Sequence, residues 1–183
     1  MTVRGGFRVS AVLAVLAAAA VLAGVLAPAG RPATTQPRAA LTALDAGVLD
    51  QLNQIRVGHG LVPLKLSPAL TASATQHTQE MGVDGYFEHT SFDGTVFWKR
   101  IQRWYASNRY GYWSVGENLL WSSPDVDAPQ ALQLWMNSPE HRANILAPRW
   151  REIGIAAEHF TTAGGTYGNL PVTIITTDFG VRH

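Results

Sequence analysis

Trp135-Met136-Asn137-Ser138-Pro139-Glu140-His141-Arg142-Ala143-Asn144-Ile145-Leu146 is the stretch on which the reading of this chain turns. Ser138-Pro139 is a helix N-cap followed by proline at the first helical position. One helix therefore ends near Met136 and a short one opens, with His141 in its first turn. A helix N-terminus disfavours protonation of an imidazole, and the neutral ring is the form that ligates metal or accepts a proton. Two stretches upstream share this polar character: Phe87-Glu88-His89-Thr90 and Val115-Gly116-Glu117-Asn118-Leu119. His89 lies between a helix and the Asp93-Gly94 turn, in a loop, where rigid scaffolds often present functional groups. Glu117 follows a glycine and precedes Asn118, a local sequence suited to a turn before an apolar segment. Together the stretches offer two imidazoles and a carboxylate, side chains that bind borderline metals or pass protons near neutral pH. Each also has a structural reading: His89 as a hydrogen-bonded histidine, Glu117 as a buried carboxylate capping backbone amides.

The rest of the chain bounds what such a site can belong to. Its 183 residues suit one ordinary domain. Arg4 and Arg8 precede an uncharged apolar run from Val9 to Ala27, and Ala27-Pro28-Ala29 has the small-x-small pattern of a signal-peptidase site. Residues 1–29 thus read as a signal peptide, or as an N-terminal membrane anchor if uncleaved, since the run approaches the roughly 20 residues that span a bilayer. Residues 30–40 read as a Pro-rich linker, and 41–183 as the folded domain. The domain is expected outside the cytoplasmic membrane, secreted or in the cell envelope. Its only expected contact with the membrane is through that N-terminal segment.

Of the 14 basic and 13 acidic residues, Arg4 and Arg8 belong to the targeting segment, leaving 12 basic against 13 acidic. So balanced a remainder has no electrostatic footprint for nucleic acid. With no cysteine there is no disulfide framework. An apolar core must hold the domain, and six Trp, six Phe and five Tyr can supply it.

Leu44, Val48, Leu52 and Ile55 recur at helical spacing and predict a helix over about 41–57, ended by Gly58 and Gly60. Ser67-Pro68 opens a second helix, with Leu70, Ala74, His77 and Met81 on one face. Val96, Phe97, Ile101 and Trp104 mark a third. Residues 108–114 read as an aromatic loop, and Asp127-Ala128-Pro129 opens a fourth helix. Residues 153–157 and 172–177 read as two strands, which the Gly-rich segment 161–169 could join as an antiparallel pair. Interspersed helices with late strands imply α+β layers.

Several chemistries are excluded. The chain has no His-Glu-x-x-His, no Gly-x-Ser-x-Gly elbow and no phosphate-binding Gly-rich loop. A cysteine nucleophile is impossible. Ser91 and Ser138 lie close in sequence to His89 and His141, but nothing aligns them as a serine–base pair. His77, on an apolar helical face, reads as a satisfied, partly buried histidine, and His59, His159 and His183 as exposed. Arg142 and Asn144 read as structural ties for the loop after the helix. Trp98, Trp104, Tyr105, Tyr110, Tyr112 and Trp113 form an aromatic cluster, read first as core and loop packing and second as the lining of a carbohydrate or lipid groove.

In its motifs the chain resembles the CAP superfamily, the cysteine-rich secretory, antigen and pathogenesis-related proteins, and within it the bacterial SCP-like extracellular subtype. The resemblance runs from about Leu44 to Gly180. It is carried by residues 52–56, Leu64 with Ser67-Pro68-Ala69-Leu70, His89, residues 115–118, residues 135–142, Ile153-Gly154-Ile155 and Asp178-Phe179-Gly180. It implies a three-layer α-β-α sandwich with a small, mainly antiparallel central sheet and a central cleft. In the family, two histidines and two glutamates line that cleft and in some members hold a divalent metal. Here His89 matches the first histidine, Glu117 the first glutamate and His141 the second histidine. The second glutamate's position is Ser138, with Glu140 close by, so the set is one carboxylate short. The implied metal residues are His89, Glu117 and His141, and the implied cofactor is a divalent cation, zinc or magnesium. Two functions follow as expectations. One is a binding or interaction module at the cell envelope, taking a small apolar or cell-wall-derived ligand. The other is a hydrolase of peptide or cell-wall bonds that uses the same cleft. The missing carboxylate favours the first.

Overall fold

The computed structural model describes Thr2–Arg4 and residues 42–183. The leader and linker expected over 1–40 otherwise lie outside the described residues. In chain order the elements are β1 (Thr2–Arg4), α1 (Ala43–Gly58), β2 (Lys65–Leu66), α2 (Pro68–Asp84) and α3 (Phe97–Trp104). There follow β3 (Trp113–Ser122), α4 (Ala128–Asn137), α5 (Pro139–Ile145), β4 (Glu152–Ala163) and β5 (Leu170–Arg182). The strands form one sheet in the order β1-β3-β5-β4-β2. Its β1/β3, β3/β5 and β5/β4 pairs are antiparallel, and only the short β4/β2 pair is parallel.

Alternation along β5 builds the layers, because successive side chains of a strand point to opposite faces. Ile175, Phe179 and Val181 join the cluster formed with Val48 and Leu52 of α1, Leu132 and Trp135 of α4 and Ile145 of α5. Ile174 packs on the other face with Met81 of α2. Leu70 of α2 meets Phe97 and Ile101 of α3 and Val115 of β3. The sheet is thus covered on both sides, as a three-layer α-β-α sandwich. Among the described residues the three apolar clusters draw their members from residues 44–181, so residues 40–183 carry a core of their own.

Local chemistry sets the helix boundaries. Thr42 and Asp45 make a reciprocal capping box on α1, and Asp127 and Gln130 make another on α4. Asp45 Oδ1 also accepts from Ala157 N at 2.8 Å and ties α1 to β4. Ser67 and Ser138 stand at the N-cap positions before proline as expected, but neither side chain caps its helix. Ser67 is instead drawn toward the sheet, its N–H donating to Ile153 O at 2.8 Å. Gly154 of β4 is obligatory here: a Cβ would lie 2.0 Å from Leu70 C, so α2 rests directly on the strand.

Two readings are corrected. The segment around Glu117 is no turn. It is the middle of the ten-residue strand β3, which begins at Trp113, inside the expected loop. Gly116 and Asn118 weaken the strand pattern for a packing reason. A Cβ at Gly116 would come within 2.7 Å of Asn144 Oδ1, and the Asn118 amide bonds to α5.

Candidate functional site

Three elements converge on Glu117. Strand β3 pairs it across from Asp178 of β5, on the face covered by α2 and α3. Its side chain is 1% exposed. Oε1 accepts from His89 Nδ1 at 2.7 Å, and Oε2 accepts from the buried Arg100 of α3. Burial pushes the Glu117 carboxyl up, but the His89 hydrogen bond and the Arg100 charge outweigh it and hold the group below the usual carboxylate range. Asp178 differs. It is fully buried, and neither oxygen has a hydrogen-bond partner among the described residues. Ser73 and Glu117 neighbour it in geometry too loose for a hydrogen bond. Burial, reinforced by the Glu117 charge, drives its carboxyl well above the usual range. Two carboxyls side by side are therefore pushed in opposite directions, Glu117 toward its charged form and Asp178 toward its protonated one.

The loop that carries His89 is held at several points. Arg100 Nη1 donates to His89 O at 3.0 Å and to Ser91 Oγ at 3.2 Å. His77, fully buried on α2, donates from Nε2 to Glu88 O at 2.9 Å. Tyr86 accepts from Phe92 N at 3.2 Å and donates to Glu80 Oε2 at 2.7 Å. Donation to Glu88 O fixes His77 as the Nε2–H tautomer, and burial holds its pKa below the ordinary value. The His89 ring is 40% exposed, and with Nδ1 on Glu117 its Nε2 is left without a protein partner among the described residues.

His141 arrives from α5. Asn118 Nδ2 donates to its carbonyl at 3.2 Å, and Asn144 bridges Glu117 O and Asn118 Oδ1 at 3.2 and 3.0 Å. Asn144 is the structural tie that was expected, whereas Arg142 is exposed. The His141 imidazole is held below its ordinary pKa, in the expected direction, but burial is the first cause and the positive field of His89 the second. Glu140 is exposed and Ser138 half-buried.

The structure thus joins His89 to Glu117 directly and sets His141 within electrostatic reach of His89. Among the described residues no three His, Cys, Asp or Glu side chains are grouped to hold a metal ion. The donor set also disfavours Glu117 as a ligand, since one oxygen is bonded to His89 and the other to a guanidinium whose charge opposes a dication. A three-ligand centre of His89, Glu117 and His141 does not fit this arrangement, and an oxygen-seeking cation such as magnesium fits it least. Among the described residues Ser91 donates no hydrogen bond to His89, and its buried hydroxyl accepts from Arg100. An open groove of about 370 Å³ lies on α4 and α5, lined by Met136, Pro139 and Leu146 among others, and it includes neither His89 nor Glu117.

Sequence reasoning missed Arg100 and gave His77 only a bland role. A cation on the buried stripe of α3, between Phe97 and Ile101, was the available signal for Arg100. His77 lay on an apolar face with nothing to show that its partner was the carbonyl beside His89.

The model of the cysteine-rich secretory protein family, CAP, matches residues 49–174. The chain belongs to this family. The match covers the CAP domain from α1 into β5. Among curated relatives, the uncharacterized protein YkwD of Bacillus subtilis (strain 168) is 31% identical over 123 residues, 67% of this chain and 45% of that protein. Among solved structures, an extracellular protein of Bacillus anthracis containing an SCP domain aligns at 27% identity with a TM-score of 0.57. That alignment covers 73% of this chain and 39% of the other. An outer surface protein of Borrelia burgdorferi has a TM-score of 0.56 at 20% identity, over 74% of this chain and 90% of its own, and shows the shared fold. The CAP chain spans less than half of the curated relatives it matches. Among the described residues no helix is long and apolar enough to cross a membrane.

Proposed function

We propose that this CAP domain is an exported, non-catalytic binding module of the cell envelope. Its cleft would present His89 Nε2 and His141 to a small apolar or cell-wall-derived ligand. One observation carries the reading: the Glu117 carboxylate is shared between His89 and Arg100, so it orients an imidazole and balances a buried cation. A carboxylate so engaged is poorly placed to activate water or complete a metal shell. Export is supported by the extracellular and surface descriptions of the two solved relatives. A divalent metal, if taken up, would be zinc on the two imidazoles with water completing the shell, far weaker than a four-ligand structural site.

The hydrolase reading rests on the 2.7 Å His89–Glu117 pair, which resembles a base with its orienting carboxylate. The deciding experiment incubates residues 40–183, and the His89→Ala, His141→Ala double variant, with labelled peptidoglycan and a peptide library, with and without zinc. The expected result is retention of a cell-wall fragment without turnover, with retention lost in the variant. Turnover by the parent that disappears in the variant would replace the binding reading with the hydrolase one.

A further inference from the structure

We propose that the outer face of α3, with the loop that follows it, docks the domain onto an anionic phospholipid surface, a contact of the folded domain beyond its N-terminal segment. None of the 13 acidic residues falls between Gly94 and Gly116, a stretch that holds Lys99, Arg100, Arg103 and Arg109. Arg100 turns inward to Glu117, while Lys99, Arg103 and Arg109 are exposed. Lys99 and Arg103 are one helical turn apart and so share the outward face of α3. The adjoining part of α2, from Pro68 to Gln79, has no ionisable side chain except the buried His77. Asp93, exposed at the N-terminal margin, lies within the field of Arg103. Glu152 of β4 reaches the edge of the loop but is bonded by Tyr105 and lies 4.0 Å from Arg182, so the outward face of α3 keeps its positive charge although the domain as a whole is not positive.

Its aromatic side chains select among anionic partners. Trp104 is 47% and Tyr110 41% exposed, and Trp98 is half-buried. The Trp104 indole N–H is already bonded to Gln76 at 2.9 Å, so what faces outward is its ring. Arg182 stacks over the Tyr110 ring at 4.9 Å. Cations interleaved with exposed indole and phenol rings match the headgroup boundary of a bilayer, where aromatic rings settle and Lys and Arg meet phosphate. A neutral saccharide would use the rings without the cations. Nucleic acid would need more phosphate contacts than three exposed cations supply.

The test is co-sedimentation of residues 40–183, which carry the apolar clusters found among the described residues, with vesicles of phosphatidylglycerol or of phosphatidylcholine alone. Binding is expected to the anionic vesicles only, and to weaken with salt. Each basic side chain near such a surface is worth about a five-fold change in partitioning, so Lys99→Gln with Arg103→Gln should weaken binding about 25-fold. Arg109→Gln alone should weaken it about five-fold and serves if the double variant is less stable. Brominated acyl chains should quench tryptophan emission, less so in Trp104→Phe. Failure to bind phosphatidylglycerol vesicles, or binding that survives the charge variants, overturns the proposal. So does equal affinity for soluble polyphosphate without quenching by brominated lipid, which would mark a general polyanion site. None of these outcomes bears on the His89 cleft.

Discussion

Replacing Arg100 by methionine removes one guanidinium and strands three acceptors. Glu117 Oε2 loses its cation inside the protein, His89 O loses a donor at 3.0 Å, and Ser91 Oγ loses one at 3.2 Å. Removing one partner of a buried ion pair costs about 3–5 kcal/mol, because the remaining charge has neither water nor counterion. Each of the other lost hydrogen bonds adds about 1 kcal/mol. The total, about 5–7 kcal/mol, is comparable with the whole stability of many domains, which lies around 5–15 kcal/mol. Urea unfolding of residues 40–183, followed by tryptophan fluorescence and by circular dichroism, measures the loss.

The size alone would not distinguish an ion pair from a well-packed long side chain, so the decisive quantity is the coupling. Glu117→Gln keeps the shape and removes the charge, and combined with Arg100→Met it leaves no uncompensated ion. The double variant should therefore be more stable than the sum of the single losses predicts, by about 2 kcal/mol or more. Strict additivity, or a loss below about 1 kcal/mol for Arg100→Met, would refute the account of Glu117 as a carboxylate committed to Arg100.

Asp178→Asn tests the protonated neighbour. Its carboxyl is raised, so its contribution to stability is intact below the unfolded value near pH 4 and is lost as pH rises toward its folded pKa. The parent should lose ground to Asp178→Asn by about 1 kcal/mol per pH unit above pH 4, read as thermal midpoints across a pH series; a difference independent of pH would contradict this. For Glu117, held low, the sign is opposite: the parent's advantage over Glu117→Gln should vanish as pH falls below about 4 through its folded pKa. His77→Ala should cost about 2–3 kcal/mol and speed amide exchange over Tyr86–Phe92, since Glu88 O loses its donor. Unchanged exchange there would mean that His77 does not position the His89 loop. Gly154→Ala should lower the thermal midpoint by several degrees, because its Cβ meets α2 backbone that cannot move aside.

Legibility followed the kind of signal each residue carried. Helix α1 announced itself through apolar periodicity, and α2 and α4 through Ser67-Pro68 and Asp127 at their starts as well, signals that depend only on near neighbours in sequence. Strand β3 did not. Gly116, Glu117 and Asn118 are poor strand formers, and each is there for a contact made across the fold, to Asn144 and Trp150, to His89 and Arg100, and to α5. Local rules failed where these contacts across the fold were built. His89, Glu117 and His141 were legible as a set only through the order of the surrounding motifs. That Glu117 bonds a guanidinium was not legible, because nothing in the sequence of α3 says which strand residue lies opposite Arg100.

The two neighbouring carboxyls bear on the ligand we propose for the cleft. Glu117 and Asp178 are cross-strand partners on one face of the sheet, yet only Glu117 reaches both an imidazole and a guanidinium, while Asp178 has no hydrogen bond to favour its charged form. Such surroundings push one acid toward its charged form and the other toward its protonated form. Beneath the His89 loop the buried Arg100 and Glu117 thus balance one another, while Asp178 is pushed toward its neutral form. What remains exposed is the His89 ring, beside half-buried His141 and within 6.2 Å of the Phe97 ring. The ligand we propose would meet the exposed His89 ring above this balanced ion pair, which suits a neutral molecule held by one or two hydrogen bonds better than a cation.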